Sequence, residues 1–554
     1  MSVWIGRPNA LSLSKWLWPW LAAAASGVLL ALTFAPWNQG WLIWVALVPL
    51  LCAVWFTPAK KPRAFLLGYV AGIVFYAGAF HWLASLGSVV SAPLLQGLPL
   101  LLSLYLGLYL GCWAWAMRAL IPPANIDAGS SLRHLGIGAL GACFMVALEW
   151  TRGWLLTGFG WDGLGVALHR DLAMIQVAEL TGVLGLTWLV TFANVMAVVI
   201  VRRIRAEFGP DFLKRVRWEF SCTMLVISLV FSYGVRKLLH PPQAPMVALR
   251  VATIQPNVPQ DLKFNEDAED LILAKLKLQT EQAAAGRPNV ILWPEAPAVR
   301  GMMADQANYD FMMGLAADGD YDLLIGSLDY ELDPSHPDEL LVYNAALHLT
   351  EHGAKRTFYR KMHLVPFGEY MPYRALMPAA INNLVSSDLK AGHEPGLFHL
   401  SDPHVAAAPL VCFEDTLGDL TRRTCLAGAQ VLVNLTNDGW FQKTAGAQQH
   451  LDNAVFRSVE NRRPLIRSTN TGMTGFVDAA GRWTEWLVPF EEGVRVLDIQ
   501  VPAAGSPTTF YTRHGDWFAY LSSGLSVLWL GVRIVRRRRG CAREGLRSPV
   551  PVTQ

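Results

Sequence analysis

Three short segments place a reactive side chain directly after a predicted strand. They are Ile291-Leu-Trp-Pro-Glu295, Phe358-Tyr-Arg-Lys361-Met-His363, and Ala408-Pro-Leu-Val-Cys412-Phe-Glu414. As a set, Glu295, Lys361 and Cys412 could perform acyl transfer. A thiol attacks a carbonyl only as its thiolate, so Cys412 needs a base, and a carboxylate such as Glu295 could serve. Attack places negative charge on the carbonyl oxygen, and a fixed ammonium such as Lys361 would stabilise it and favour thiolate. Taken singly, each residue has a plainer reading. Cys412 could be a small buried hydrophobe, or a disulfide partner of Cys425, the other cysteine of the same block. Glu295 could be a solvated turn residue, and Lys361 could belong to a basic stripe with Arg356 and Arg360. His363 and His450 read as structural.

The elements that must hold these side chains lie between about 245 and 503. Short β-branched runs recur at 247–254, 290–293, 323–325, 341–347, 405–412, 431–435 and 494–501, with helical stretches such as 266–284 and 444–462 between them. Strands alternating with helices predict an α/β domain, in which strand ends gather reactive groups on rigid supports.

Outside that block the chain is written for lipid. Of its 554 residues 53% are hydrophobic and 16% charged, below the usual quarter, and 22 are Trp, which favours the headgroup level. Seven apolar runs, at about 16–34, 41–57, 64–85, 92–117, 132–151, 172–201 and 219–237, and an eighth at 517–535, approach the length of a membrane-crossing helix. The first continues past the small residues Ala22 to Ala25, so it reads as a span and not as a cleaved leader. Lys and Arg fill alternate loops: Lys60, Lys61 and Arg63; Arg118 and Arg133; Arg202 to Arg217; and Arg536 to Arg539. The loops 35–40 and 86–91 carry none. Positive loops stay inside, which predicts cytoplasmic termini and an extracytoplasmic α/β domain. The predicted division is 1–240 for seven spans, 241–510 for the α/β domain and 511–554 for a last span with a basic tail. The net charge of +3 gives no footprint for nucleic acid, and neither a zinc-like Cys/His spacing nor a phosphate-binding glycine loop occurs.

The order Glu, Lys, Cys in these settings resembles the nitrilase (carbon–nitrogen hydrolase) superfamily. With seven spans before it and one after, the chain resembles its membrane-bound apolipoprotein N-acyltransferase family. The specific marks are Ile254-Gln-Pro-Asn-Val-Pro-Gln260, Trp293-Pro-Glu295, Tyr343-Asn344, Leu364-Val-Pro-Phe-Gly-Glu-Tyr370, Cys412-Phe-Glu414 and Asn437-Asp-Gly-Trp-Phe441. In the membrane part, Glu149-Trp-Thr-Arg152 and Thr157-Gly-Phe-Gly-Trp161 belong with them. The resemblance implies a four-layer α-β-β-α sandwich, with Glu295 as general base, Lys361 at the oxyanion and Cys412 as nucleophile. Glu369 would fix Lys361, Glu414 and Asn344 would line the site, and Trp440 would shape its mouth. It also implies a phospholipid acyl donor, phosphatidylethanolamine above all, a diacylglyceryl apolipoprotein acceptor in the bacterial inner membrane, and no metal or organic cofactor. Phe413 stands where Tyr is frequent, Phe264 where Trp is, and Gly160 where Pro is. A membrane-tethered amidase for small molecules and a transporter with an outer sensor domain are the competing classes. The segments 376–390 and 438–448 are expected to move.

Overall fold

A computed structural model describes residues 10–57, 60–89, 93–120, 130–206, 212–241, 244–298, 301–302, 305–382, 385 and 388–545. Among these, six helices are long and apolar enough to cross a membrane: Lys61–Ala79, Leu95–Leu120, Ser131–Arg152, Leu184–Arg205, Val216–Leu239 and Trp517–Arg536. Trp16–Leu32 and Gly40–Trp55 are shorter apolar segments. Helices Lys61–Ala79 and Leu98–Leu120 meet backbone to backbone. A Cβ on Gly72 would stand 2.6 Å from the Gly107 Cα, so small residues set the approach where lipid offers no hydrophobic drive.

The run at 172–201 is not one helix. Leu172–Ile175 and Ala178–Thr181 are single turns, Gly182 takes a φ of +66°, and the long helix starts only at Leu184. These turns spend their side chains on the α/β domain: Gln176 and Glu179 both receive Arg462, at 2.7 and 2.5 Å. The run at 41–57 is likewise divided, into a 3₁₀ segment Gly40–Trp44 and helix Val48–Trp55.

The strands are β1 (Met246–Gln255), β2 (Val290–Leu292), β3 (Asp322–Asp333), β4 (His336–Leu349), β5 (Arg356–Arg360), β6 (Phe398–His399), β7 (Ala406–Val411), β8 (Val431–Thr436), β9 (Leu465–Thr469), β10 (Gly475–Val477), β11 (Trp483–Glu485) and β12 (Gly493–Pro502). They form two six-stranded sheets, ordered β12-β1-β2-β3-β4-β5 and β11-β10-β9-β8-β7-β6. β1, β2 and β3 run parallel, as do β7, β8 and β9, with antiparallel strands at the flanks. Parallel central strands need apolar side chains on both faces. Val251, Leu292 and Leu324 of one sheet pack on Ala407, Val411, Val433 and Ile466 of the other. Helices Glu269–Ala284 and Gln306–Ala317 cover the first sheet, through Leu276, Met312 and their neighbours.

The second sheet's cover is shared with the apolar N-terminal part of the chain. Helix Gly446–Asn461 is buried along its whole length, and its Leu451, Ala454 and Val455 join one core with Phe80, Trp82 and Trp161. Several of its polar side chains bond that same part of the chain. The Gln449 amide donates to the Ala35 and Ala79 carbonyls at 2.8 and 2.9 Å and accepts the Trp82 indole N–H at 2.7 Å. Asn453 meets Asp162, and Asp452 pairs with His169 at 3.1 Å. The sandwich is therefore seated on the apolar N-terminal helices by a helix that packs on both.

Candidate active site

Each of the three reactive side chains leaves the carboxyl end of a strand. Lys361 directly follows β5, and its N–H extends the ladder by one bond to the Asn344 carbonyl, 2.7 Å away. Glu295 follows β2 after Trp293, whose indole is buried and donates to Thr280 Oγ1 at 3.1 Å, and after Pro294, which stops the strand. The loop can press onto β3 because position 326 is glycine; a Cβ there would lie 2.5 Å from the Glu295 Cα. Cys412 follows β7 with a φ of +51°, a left-handed conformation that a cysteine keeps only where its surroundings hold it.

Glu414 does that holding. It is fully buried and accepts the backbone N–H of Val411 (2.8 Å), Met362 (2.7 Å) and His363 (3.1 Å), together with the Tyr359 hydroxyl at 2.9 Å. One carboxylate thus ties the turn after β7 to the chain after β5, and with them the two sheets. Burial pushes its pKa up to about 7, opposed by Lys361 and by the donors, which favour the ionised form. Asn434 completes the support, donating to the Cys412 carbonyl at 2.8 Å.

The centre is a network of alternating charge. Lys361 is wholly buried, with Nζ 2.9 Å from Glu369 Oε1 and 3.8 Å from Glu295 Oε1. Asn344 donates from Nδ2 to both carboxylates, 2.7 Å each, and Glu369 Oε2 accepts the Val365 N–H at 2.7 Å. Burial would lower the Lys361 pKa, but Glu369 and then Glu295 outweigh it and hold the ammonium above its ordinary range. The Cys412 thiol is half-buried, and its pKa lies well above the ordinary value. Burial is the main cause and Glu295 adds to it, against the pull of Lys361. Lys361 favours the thiolate, as expected, but burial and Glu295 outweigh it, so the thiol needs a base when it attacks. The arrangement is chemically suited to removing a thiol proton as sulfur attacks a carbonyl, with a fixed ammonium beside the oxygen that gains charge. Cys412 and Cys425 are both free thiols, so the disulfide alternative is not realised.

Trp440 lies half-buried in the 3₁₀ turn Asp438–Phe441 after β8, the strand beside β7, which Cys412 follows. Phe413, next to Cys412, stacks on Trp161 of the N-terminal part at 6.3 Å between ring centres, and Trp161 stacks on His450 at 5.6 Å. The side chain of Phe264 lies outside the described residues, as does part of 376–390. The segment 438–448 carries a turn and the start of the buried helix, with Asp438, Gly439 and Ala445 buried.

Two features escaped the sequence. Asp415, Asp438, His450 and Arg467 form a wholly buried cluster. His450 contacts Asp438 at 2.9 Å and Asp415 at 2.8 Å, and Arg467 pairs with both aspartates. Its members lie far apart in the chain, so no local pattern announces them. Lys263 is buried with Nζ 2.9 Å from the Glu295 carbonyl, and the only signal for it was its place soon after the Gln260 motif.

Known proteins match both halves of the chain. Residues 26–196 match the apolipoprotein N-acyltransferase N-terminal domain, and residues 250–506 match the carbon–nitrogen hydrolase domain. The apolipoprotein N-acyltransferase of Geobacter metallireducens is 34% identical over 514 residues, covering 90% of this chain and 92% of that one. This chain belongs to the apolipoprotein N-acyltransferase family. The family's members from Photobacterium profundum and Methylococcus capsulatus are each 30% identical, covering 95% and 96% of this chain and 96% and 99% of theirs. Among solved structures, an amidase from Nesterenkonia sp. aligns with 46% of this acyltransferase-family chain and 90% of its own, at 19% identity and a TM-score of 0.33. The Saccharomyces cerevisiae member of branch 10 of the nitrilase superfamily aligns with 46% and 90%, at 16% identity and a TM-score of 0.36.

Proposed function

We propose that this protein moves an acyl chain from a membrane phospholipid, with phosphatidylethanolamine as a donor, onto the free α-amine of the diacylglyceryl-cysteine that begins an apolipoprotein. The observation that carries the reading is the Cys412 thiol facing Glu295 and Lys361 in a sandwich whose helical cover, Gly446–Asn461, is shared with apolar membrane helices.

In the first half-reaction Glu295 takes the proton from Cys412 Sγ as sulfur attacks the ester carbonyl. The oxyanion forms beside Lys361, which Glu369 and Asn344 hold in place. Collapse expels the lysophospholipid oxygen, which recovers the proton from Glu295, and leaves a thioester on Cys412. In the second half the lipoprotein amine attacks that thioester, Glu295 takes the amine's proton, and the departing thiolate takes it back. Splitting one transfer into two lets the same residues serve both. Both substrates are anchored by acyl chains, at roughly 0.8 kcal/mol per buried CH₂, so the reaction comes to the bilayer and not the reverse.

The placement belongs to the same reading. The six long helices with Trp16–Leu32 and Gly40–Trp55 make eight crossings, and the alternation of basic loops supports cytoplasmic termini with residues 241–510 on the periplasmic side of a bacterial inner membrane. Segments 1–240 and 511–554 are then its membrane parts. Incubating the purified protein with phosphatidylethanolamine and a diacylglyceryl-cysteine peptide tests the function. An acyl-sized mass gain on the peptide amine is expected. Release of free fatty acid or hydrolysis of small amides, with the peptide unmodified, would favour a membrane-tethered amidase instead.

A further inference from the structure

Lys263 is held where solvent does not reach. Its backbone N–H donates to the Pro259 carbonyl at 3.1 Å, and its Nζ donates to the Glu295 carbonyl at 2.9 Å. The segment before it, which follows β1 of the first sheet, is bonded to the strand ends of the second: Val258 N–H donates to Asn470, and Gln260 accepts from Asn437. The titratable groups that face its ammonium are the Glu295 carboxyl, from the loop after β2, and the Cys412 thiol, from the turn after β7. A single bond to a neutral carbonyl does not repay the desolvation of an ammonium, so its compensation must come from those two groups. The charge balance of the site says the same. Glu295 and Glu369 carry two negative charges against the one positive charge of Lys361, and Lys361 stands closer to Glu369.

We propose that Lys263 is a positioning residue for the nucleophile and its base: its ammonium, anchored on the Glu295 carbonyl, balances the negative charge that Glu295 and Cys412 exchange. In that exchange the S–H bond breaks and an O–H bond forms on Glu295, while the charge passes from oxygen to sulfur. Lys263 faces both ends, so it opposes the negative charge before and after the proton moves. Burial lowers its own pKa to about 8, although Glu295 and Cys412 pull upward, so this support is lost in mildly alkaline solution. The inference rests on the roles given to Cys412 and Glu295 above, and not on the identity of the acyl donor.

The test is the pH profile of Cys412 alkylation by iodoacetamide in the full-length protein in detergent, read by peptide mass, alongside acylation by phosphatidylethanolamine. Wild type should show a break in slope near pH 8. Lys263→Met should alkylate about tenfold or more slowly at neutral pH, the equivalent of one pKa unit, and lose the break. Lys263→Arg should keep the rate and also lose the break, because guanidinium does not titrate there. A Met variant with the wild-type rate and profile, or an Arg variant as slow as a folded Met variant, would overturn the proposal. If the Met variant does not fold, the Arg variant decides alone, and persistence of the break overturns it. Failure of wild type to take an acyl chain, with these profiles as expected, would reject the donor reading and leave the role of Lys263 standing.

Discussion

Glu369 stands closer to the Lys361 ammonium than Glu295 does, 2.9 Å against 3.8 Å, and Asn344 bonds both carboxylates at 2.7 Å. The nearer acid therefore anchors the cation, and the farther one is left able to receive a proton. That division of labour separates two residues of identical chemistry, and it leads to the first expectation.

Glu369→Gln keeps the shape but removes the anchoring charge, and an amide nitrogen facing Lys361 would repel it. The rate of acyl-enzyme formation should fall by up to about 10²- to 10³-fold, the loss that follows when the oxyanion's fixed partner, here Lys361, is displaced. Single-turnover mass spectrometry measures it. A loss below about threefold would mean that Lys361 needs no anchor.

The cluster beneath the nucleophile turn should make stability depend on pH. Burial alone would lower the His450 pKa, but Asp415 and then Asp438 overcome it and raise it to about 9. An unfolded histidine titrates near 6.5. The folded value is the higher one, so the His450 contribution is fully present below about pH 6.5 and is lost as pH rises through about 9. His450→Asn should flatten the decline in unfolding midpoint over that window, and an unchanged slope would dismiss the assignment. Arg467→Met, which leaves Asp415 and Asp438 buried with one cation fewer, should cost about 3–5 kcal/mol.

Gln449 is the third case. Its amide serves the Ala35 and Ala79 carbonyls and the Trp82 indole at once. Gln449→Leu leaves these buried groups without that partner, at about 1–3 kcal/mol each. The thermal midpoint in detergent should drop, and proteolysis between the membrane part and the sandwich should quicken. If neither changes, the seat of the sandwich lies elsewhere.

Much of the site could be read before the structure because its residues sit where strands stop. Pro294 ends an apolar run before Glu295, and Cys412 and Lys361 each follow an apolar or β-branched stretch, so chain pattern alone placed them at strand ends. Glu369 and Glu414 were legible only through motif resemblance, since neither periodicity nor spacing says that Glu414 bonds the backbone on both sides of the site. Asp415, Asp438, His450 and Arg467 were not legible as a unit, because their meeting depends on how β7, β8, β9 and helix Gly446–Asn461 pack. The fold showed the same limit. The run 172–201 is apolar throughout, but hydropathy cannot see that Gln176 and Glu179 are needed by Arg462 or that Gly182 turns the chain. Strands β6 and β9 to β11 carry no long β-branched run, because each spans only two to five residues, too few for a pattern to show.

The most direct test of the account is the intact mass of the protein after incubation with phosphatidylethanolamine, wild type against Cys412→Ala. The account predicts an acyl-sized increment on wild type that is absent from the variant and is discharged by a diacylglyceryl-cysteine peptide. An increment that survives in Cys412→Ala, or a wild type that transfers acyl chains without ever carrying one, would contradict it.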